Sequence, residues 1–226
     1  IWDMSGGSLG RLFLVIRDAA GEDLQDIVGR SKAYSFFGRA DLLVFLFDPM
    51  RLNSIRQVLS GVIPDVDQKR LGVPADKVLA NVLNQVERSS VPLALTISKF
   101  DSLQQLPQAD NPLATPLANP GAQFNRDDTM ARSAMPPRDA VKTLDRDSEL
   151  LDAELRTLYQ ELGQNNVVLL AEQAHQSHKI GELRHFAVSA LGETPVHNQQ
   201  LTLRGVSPFR VLDPILWGMA QVGFSF

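Results

Sequence analysis

Three short, almost uninterrupted apolar runs constrain this chain more than any other feature: Arg11–Arg17, Ala40–Phe47 and Pro92–Ile97. Each stops at a polar loop carrying an aspartate, namely Asp18, Asp48 and Asp101. An apolar run without alternation belongs to a strand buried on both faces. Between the runs, apolar residues recur at helical spacing. Leu24, Ile27 and Val28 do so within Asp23–Lys32, and Val78, Leu79, Val82, Leu83 and Val86 within Asp76–Arg88; Asn53–Leu59 reads as a shorter helix. Strand, helix, strand, helix, strand predicts an α/β fold with a mostly parallel central sheet flanked by helices on both faces. Functional loops then fall at the carboxyl ends of the strands. Ahead of the first run, Ile1–Met4 leads into Ser5-Gly6-Gly7-Ser8, which predicts an N-terminal antiparallel hairpin.

The second half keeps the helical rhythm after an interruption. Six of the 13 prolines lie in 107–137 with no apolar period between them, so 107–140 reads as a Pro-rich mobile insertion within a single domain of 226 residues. Asp145–Leu162 returns to a helix, with Leu150, Leu151, Leu155, Leu158, Tyr159 and Leu162 on its apolar face and Gly163 ending it. Asn166–Gln176 reads as a further helix, His185–Ser189 as a late strand, and Pro214–Met219 as a closing helix with Trp217 as a core anchor.

Composition removes several function classes. With 22 Lys+Arg against 26 Asp+Glu the net charge is −4, so the chain has no basic excess with which to neutralise nucleic-acid phosphates. The absence of cysteine removes disulfide scaffolds, zinc-finger sites and cysteine nucleophiles, and fits a cytoplasmic location best. The longest strongly apolar run, Leu42–Phe47, is far too short to span a membrane. The start at Ile1 rather than Met reads as an N-terminal truncation.

Three strand-end loops carry the polar residues of most chemical interest: Asp18-Ala19-Ala20-Gly21-Glu22, Ser98-Lys99-Phe100-Asp101 and Ser189-Ala190-Leu191-Gly192. Together, and in this order, they resemble the D-x-x-G, N/T/S-K-x-D and S-A-(L/K) loops of the translation-factor-related and Ras-like GTPases. The long insertion, Phe186–Gly192 and Asp213–Trp217 are similar to the bacterial double-GTPase family, whose members are associated with multi-component bacterial systems. The resemblance implies a P-loop GTPase-like fold and a GTP-binding switch domain that hydrolyses GTP slowly to GDP and phosphate. It implies GTP/GDP and Mg²⁺ as cofactors, and as partners a guanine nucleotide with protein effectors or other components of a bacterial multi-protein system. Asp18 would hold Mg²⁺ through water, and Gly21 would let a backbone N–H approach the γ-phosphate. Ser98, Lys99, Asp101, Ser189, Ala190 and Leu191 would surround the guanine base, the Asp101 carboxylate accepting from its two N–H donors. Glu22 stands where the water-orienting residue is expected and is a weak catalytic candidate.

One part of that pattern is missing. No G-x-x-x-x-G-K-[ST] occurs, and Gly29-Arg30-Ser31-Lys32 does not supply it. The phosphate-binding loop therefore lies upstream of Ile1, or the chain is a nucleotide-free scaffold that keeps the fold and binds other proteins. Three further features have plain structural readings. Gly6-Gly7-Ser8-Leu9-Gly10 has the spacing of a nucleophile elbow, but a strand follows it instead of a helix. His175, His178 and His185 sit in a Gln-rich stretch without a cysteine, which fits a solvated face better than a metal site. Phe36 and Phe37 read as core in preference to an effector surface exposed in one nucleotide state.

Overall fold

The computed structural model describes residues 2–5, 11–19, 34–63, 74–87, 90–193 and 206–223. Its centre is a three-stranded parallel sheet in the order β3 (Leu43–Phe47), β4 (Leu93–Ile97), β5 (Leu183–Ala187). Leu43 stands opposite Leu93 and Leu93 opposite Leu183, and the register holds to Phe47, Ile97 and Ala187. All five residues of β4 are buried, as a central strand with helices on both faces requires.

Side chains alternate across the sheet, so His185 and Phe186 mark its two faces. On the His185 face lie α2 (Ala75–Gln85), α6 (Pro137–Glu161) and α7 (Asn165–Gln176), the Tyr159 ring of α6 meeting the His185 ring edge-on. On the Phe186 face lies α8 (Asp213–Gln221), whose Trp217 is 1% exposed with its ring 5.6 Å from that of Phe186. Gly218 lets α8 approach closely: a Cβ there would stand 2.4 Å from the Leu42 side chain. The α6 helix buries Ala140, Leu144, Leu151, Leu155, Leu158 and Tyr159, a stripe of helical period, and leaves its charged residues largely outward. Gly163 follows it at φ 69°, a left-handed turn that glycine adopts without steric cost.

The first apolar run departs from expectation. Trp2–Ser5 (β1) and Arg11–Leu14 (β2) pair antiparallel as a separate two-stranded sheet with no ladder to the central one. Beyond β2, Val15 and Ile16 are 57% and 55% exposed. Arg11–Arg17 is therefore not a strand of the central sheet buried on both faces. The architecture shared by the rest of the chain is the three-stranded sheet with its helices, and an N-terminal hairpin is not supported as part of it. The turn expected at 5–8, the elbow-like spacing at 6–10 and the helix expected over 23–32 lie wholly or largely outside the described residues.

The short helix α1 (Asn53–Val58) follows β3, and between β4 and α6 the chain forms short elements: α3 (Phe100–Leu103), α4 (Ala114–Ala118), α5 (Thr129–Ser133) and 3-10 turns at Leu106–Gln108 and Gln123–Asn125. Leu113, Leu117, Ala122 and Phe124 are buried there, and the Phe124 ring lies 5.8 Å from that of Phe100. Glu154 of α6 accepts hydrogen bonds from the Gln123 and Phe124 backbone N–H groups at 3.0 and 3.1 Å, which ties this stretch to the long helix. No described helix is long and apolar enough to cross a membrane.

A partly buried ionic chain joins β5 to α6 and α7. The Asp152 carboxylate accepts from His185 at both its backbone N–H (2.8 Å) and its Nδ1 (2.7 Å), and from Arg156 Nε at 2.7 Å, while Arg156 also pairs with Glu172. Burial pushes the Asp152 carboxyl up, but the hydrogen bonds and charge of His185, with Arg156, outweigh it and hold it down at about 2. The sign follows from linkage: a carboxylate held below its ordinary 3.8 adds stability above that pH, and the contribution disappears as pH falls toward 2. The expected loss is of order 2 kcal/mol. Acid unfolding followed by circular dichroism should therefore be less steep between about pH 4 and 2 in Asp152→Asn than in the native chain.

Candidate functional site at the carboxyl ends of the strands

Parallel pairing brings the ends of β3, β4 and β5 to one side of the sheet, and two of the three loops singled out above meet there with Asp48. Ser98 continues the ladder, donating to the Phe47 carbonyl through its N–H (2.8 Å) and its hydroxyl (3.1 Å). Lys99 then turns left-handed at φ 51°, which starts α3 and sends its ammonium back to Asp48 Oδ2 at 2.7 Å. The Phe100 N–H donates to the Val188 carbonyl, which ties the β4 loop to the β5 loop.

Below that surface pair lies a buried polar knot. Asp101 is 5% exposed and Ser189 1% exposed. The Ser189 hydroxyl donates to Asp101 Oδ1 at 2.5 Å, and the same Oγ accepts the Gly192 N–H at 2.8 Å. The returning segment before α8 closes the loop from the other side. Ser189 and Phe209 exchange backbone hydrogen bonds at 3.0 and 2.8 Å, and the Ser207 N–H donates to the Leu191 carbonyl. The Phe209 ring stacks on Phe100 with centroids 6.3 Å apart. Ala190 is exposed and Leu191 half-buried. Asp18 is exposed in a separate stretch, and Gly21 and Glu22 lie outside the described residues.

Chemically, the arrangement engages its polar groups with one another. The Lys99 ammonium faces the Asp48 carboxylate, and the buried Asp101 carboxylate accepts the Ser189 hydroxyl. Among the described residues no group of three or more His, Asp or Glu side chains could hold a metal ion. The three histidines do not converge: His175 Nδ1 contacts the Gly181 carbonyl at 2.5 Å, His185 pairs with Asp152, and His178 is exposed. These contacts hold the strand-end loops together, and substitution distinguishes their parts. Asp101→Ala strands a buried hydroxyl and should cost about 1–3 kcal/mol in urea unfolding. Lys99→Ala breaks a pair whose lysine is 55% exposed and should change stability by less than about 1 kcal/mol.

A second polar cluster escaped sequence reading. Asp213, at the start of α8, is fully buried between Arg210 and Arg132. Arg210 Nε donates to Asp213 Oδ2 at 2.8 Å, and its Nη1 donates to the Gln123 and Arg126 carbonyls at 2.8 and 3.0 Å. The Arg210 backbone N–H reaches Asp127 at 3.3 Å. The cluster fastens residues 123–132 to α8. Its bonded partners lie up to 87 positions apart along the chain, so no local spacing announces it.

These features define an α/β domain on a three-stranded parallel sheet whose strand-end loops bond to one another. No protein-family model matches the chain, and no solved structure matches it. A relative in Mycolicibacterium smegmatis does, a protein carrying the provisional name ESX-1 scaffolding and assembly protein SaeC. It is 35% identical over 214 residues, which cover 94% of this chain and 52% of the relative, so the chain spans about half the length of the protein it matches.

That relative corrects the functional expectation. The likeness to P-loop GTPases, including the double-GTPase family, does not hold as an identification, and the reading as a GTP-binding switch that hydrolyses GTP falls with it. The relative is named for scaffolding and assembly, and nothing in its name concerns a nucleotide. The physical reason lies in the loops. Asp, Ser, Lys and Gly gather at strand ends because such ends need hydrogen-bonding caps and tight turns, and here the described members of the pattern perform that work for one another.

Proposed function

We propose that this chain is an assembly scaffold: a domain that binds other protein components of a secretion-type multi-protein system and holds them together. The observation that carries the reading is the match along 94% of the chain to a protein named for ESX-1 scaffolding and assembly. Two features support it. The polar groups at the strand ends are engaged in internal hydrogen bonds and ion pairs, and the described surface carries exposed apolar side chains at Val15, Ile16, Val44 and Leu46.

The test is quantitative co-purification. The chain, tagged at one terminus and expressed at its native level, is isolated without cross-linker, and its companions are measured by mass spectrometry against an untagged control. The expected result is co-elution with secretion-system subunits in fixed ratio. Recovery of the chain without any such subunit would overturn the reading.

A further inference from the structure

Residues 207–210 are fastened on two sides. Toward the strand ends, the Ser207 N–H donates to the Leu191 carbonyl, Phe209 and Ser189 exchange backbone hydrogen bonds, and the Phe209 ring stacks on Phe100. Toward the stretch before α6, the Arg210 guanidinium holds the Gln123 and Arg126 carbonyls, and the Arg210 N–H reaches Asp127. The change of partner falls between two consecutive residues. Arg210 makes it at φ 52°, a left-handed backbone that is strained in a residue with a Cβ. Such strain persists only where the surroundings over-determine it, and the Arg210 side chain, 2% exposed and bonded to two carbonyls, supplies that constraint. The contacts close into a ring. Phe100 meets both Phe209 and Phe124, with centroids 6.3 and 5.8 Å apart, and Phe124 follows Gln123, whose carbonyl Arg210 holds.

We propose that residues 207–210 are a strap that couples the strand-end loop at 189–192 to the segment 123–132, so that the two loosen and tighten together while the central sheet stays folded. Chain continuity is the reason. Phe209 cannot leave Ser189 and Phe100 without turning the peptide that joins it to Arg210, and that motion draws the guanidinium off two carbonyls and the backbone away from Asp127. A shift of 123–132 pulls the same peptide from the other side, so the coupling is reciprocal. The sheet need not take part. The strap reaches the end of β5 through one isolated bridge, with Ser207 and Pro208 exposed and Phe209 half-buried, whereas β4 is buried throughout and laddered on both edges. Segments held by few buried contacts and isolated hydrogen bonds open below the free energy of global unfolding. Every contact in the ring is made within the chain, and the inference is independent of the scaffold reading.

Native-state hydrogen exchange of the whole chain tests it. The readouts are the Ser189 and Gly192 amides on one side of the strap, the Asn125 and Arg126 amides on the other, and the β4 amides as the reference, all of them hydrogen-bonded. Phe209→Ala takes a half-buried ring off Phe100. Exchange should quicken by about tenfold or more at Ser189 and Gly192, and by the same factor at Asn125 and Arg126, with β4 unchanged. Asp127→Ala removes an exposed carboxylate from the Arg210 N–H and perturbs the ring from the opposite side. It should quicken the same four amides together. If Phe209→Ala quickens only Ser189 and Gly192 and leaves Asn125 and Arg126 at the native rate, the two fastenings are independent and the proposal is overturned. Quickening by the same factor in β4 also overturns it, because the segments then open only with the whole fold.

Discussion

Replacing Asp213 by alanine should lower stability by about 3–5 kcal/mol, the cost of leaving buried charge without its counter-charge. The carboxylate is fully buried and is gripped by Arg210 and Arg132, which are themselves 2% and 5% exposed. The Asp127 carboxylate meets Arg210 only at its backbone N–H, and Arg132 Nη1 and Arg210 Nη2 find no described partner. Removing the carboxylate leaves two desolvated cations close together. The melting temperature should fall by about 10 °C in a domain of this size. Because Arg210 also holds the Gln123 and Arg126 carbonyls, the loss should spread into residues 123–132, and hydrogen exchange should quicken there before it does in β4. A variant lacking all three side chains should recover part of the loss, because the unpaired charge is then gone. A melting temperature for Asp213→Ala within about 2 °C of the native chain would mean that the cluster does not fasten α8.

The second large effect is expected at Gly192. Its φ is +77°, and a Cβ would stand 1.8 Å from the Ser207 carbonyl oxygen, a backbone atom that cannot swing aside. Gly192→Ala must therefore push the 207–209 segment away from Ser189, breaking the paired hydrogen bonds between Ser189 and Phe209. The left-handed backbone adds strain of its own, and together these should cost about 3 kcal/mol. Gly163 is the control. It also has positive φ, at 69°, but a Cβ there meets no atom within 4 Å, so Gly163→Ala should cost about 1 kcal/mol from backbone strain alone. Equal losses for the two substitutions, measured by urea unfolding, would show that the 207–209 segment does not close the strand-end loop.

How far the sequence exposed this structure depends on whether the relevant information is local. β3, β4 and the helices α2, α6 and α7 could be read because apolar periodicity is a property of neighbouring residues. Thus Leu93–Ile97 is a buried strand and Leu151, Leu155 and Leu158 form a buried stripe. Arg11–Arg17 was misread for the same reason. Its composition is that of a buried strand, but nothing local determines that β2 pairs with β1 and that Val15 and Ile16 face outward. In 107–137 the buried residues Leu113, Leu117 and Phe124 sit on short elements of changing direction, so no single period spans them.

At the candidate site strand order shows the positions, but the side-chain pairings are not local. Ser98, Lys99, Asp101 and Ser189 could be placed at one edge of the sheet from strand order alone. That Asp101 takes the Ser189 hydroxyl, and that Lys99 takes Asp48, depends on partners 88 and 51 residues apart. Residue types suited to nucleotide recognition are equally suited to capping strand ends, and the pattern does not separate the two. Asp48 was noted as a strand-end aspartate, and the lysine of the next loop was the available signal for its pairing. Nothing in the sequence pointed to Arg210, Arg132 and Asp213 as a unit.

If the chain scaffolds other proteins, its loss should disperse them. Native complexes are separated from cells with and without the chain, and the secretion-system subunits are followed through the separation by quantitative mass spectrometry. Without the chain, subunits that had migrated together should resolve into smaller species while their total amounts stay the same. A complex of unchanged size and composition in cells lacking the chain would contradict it.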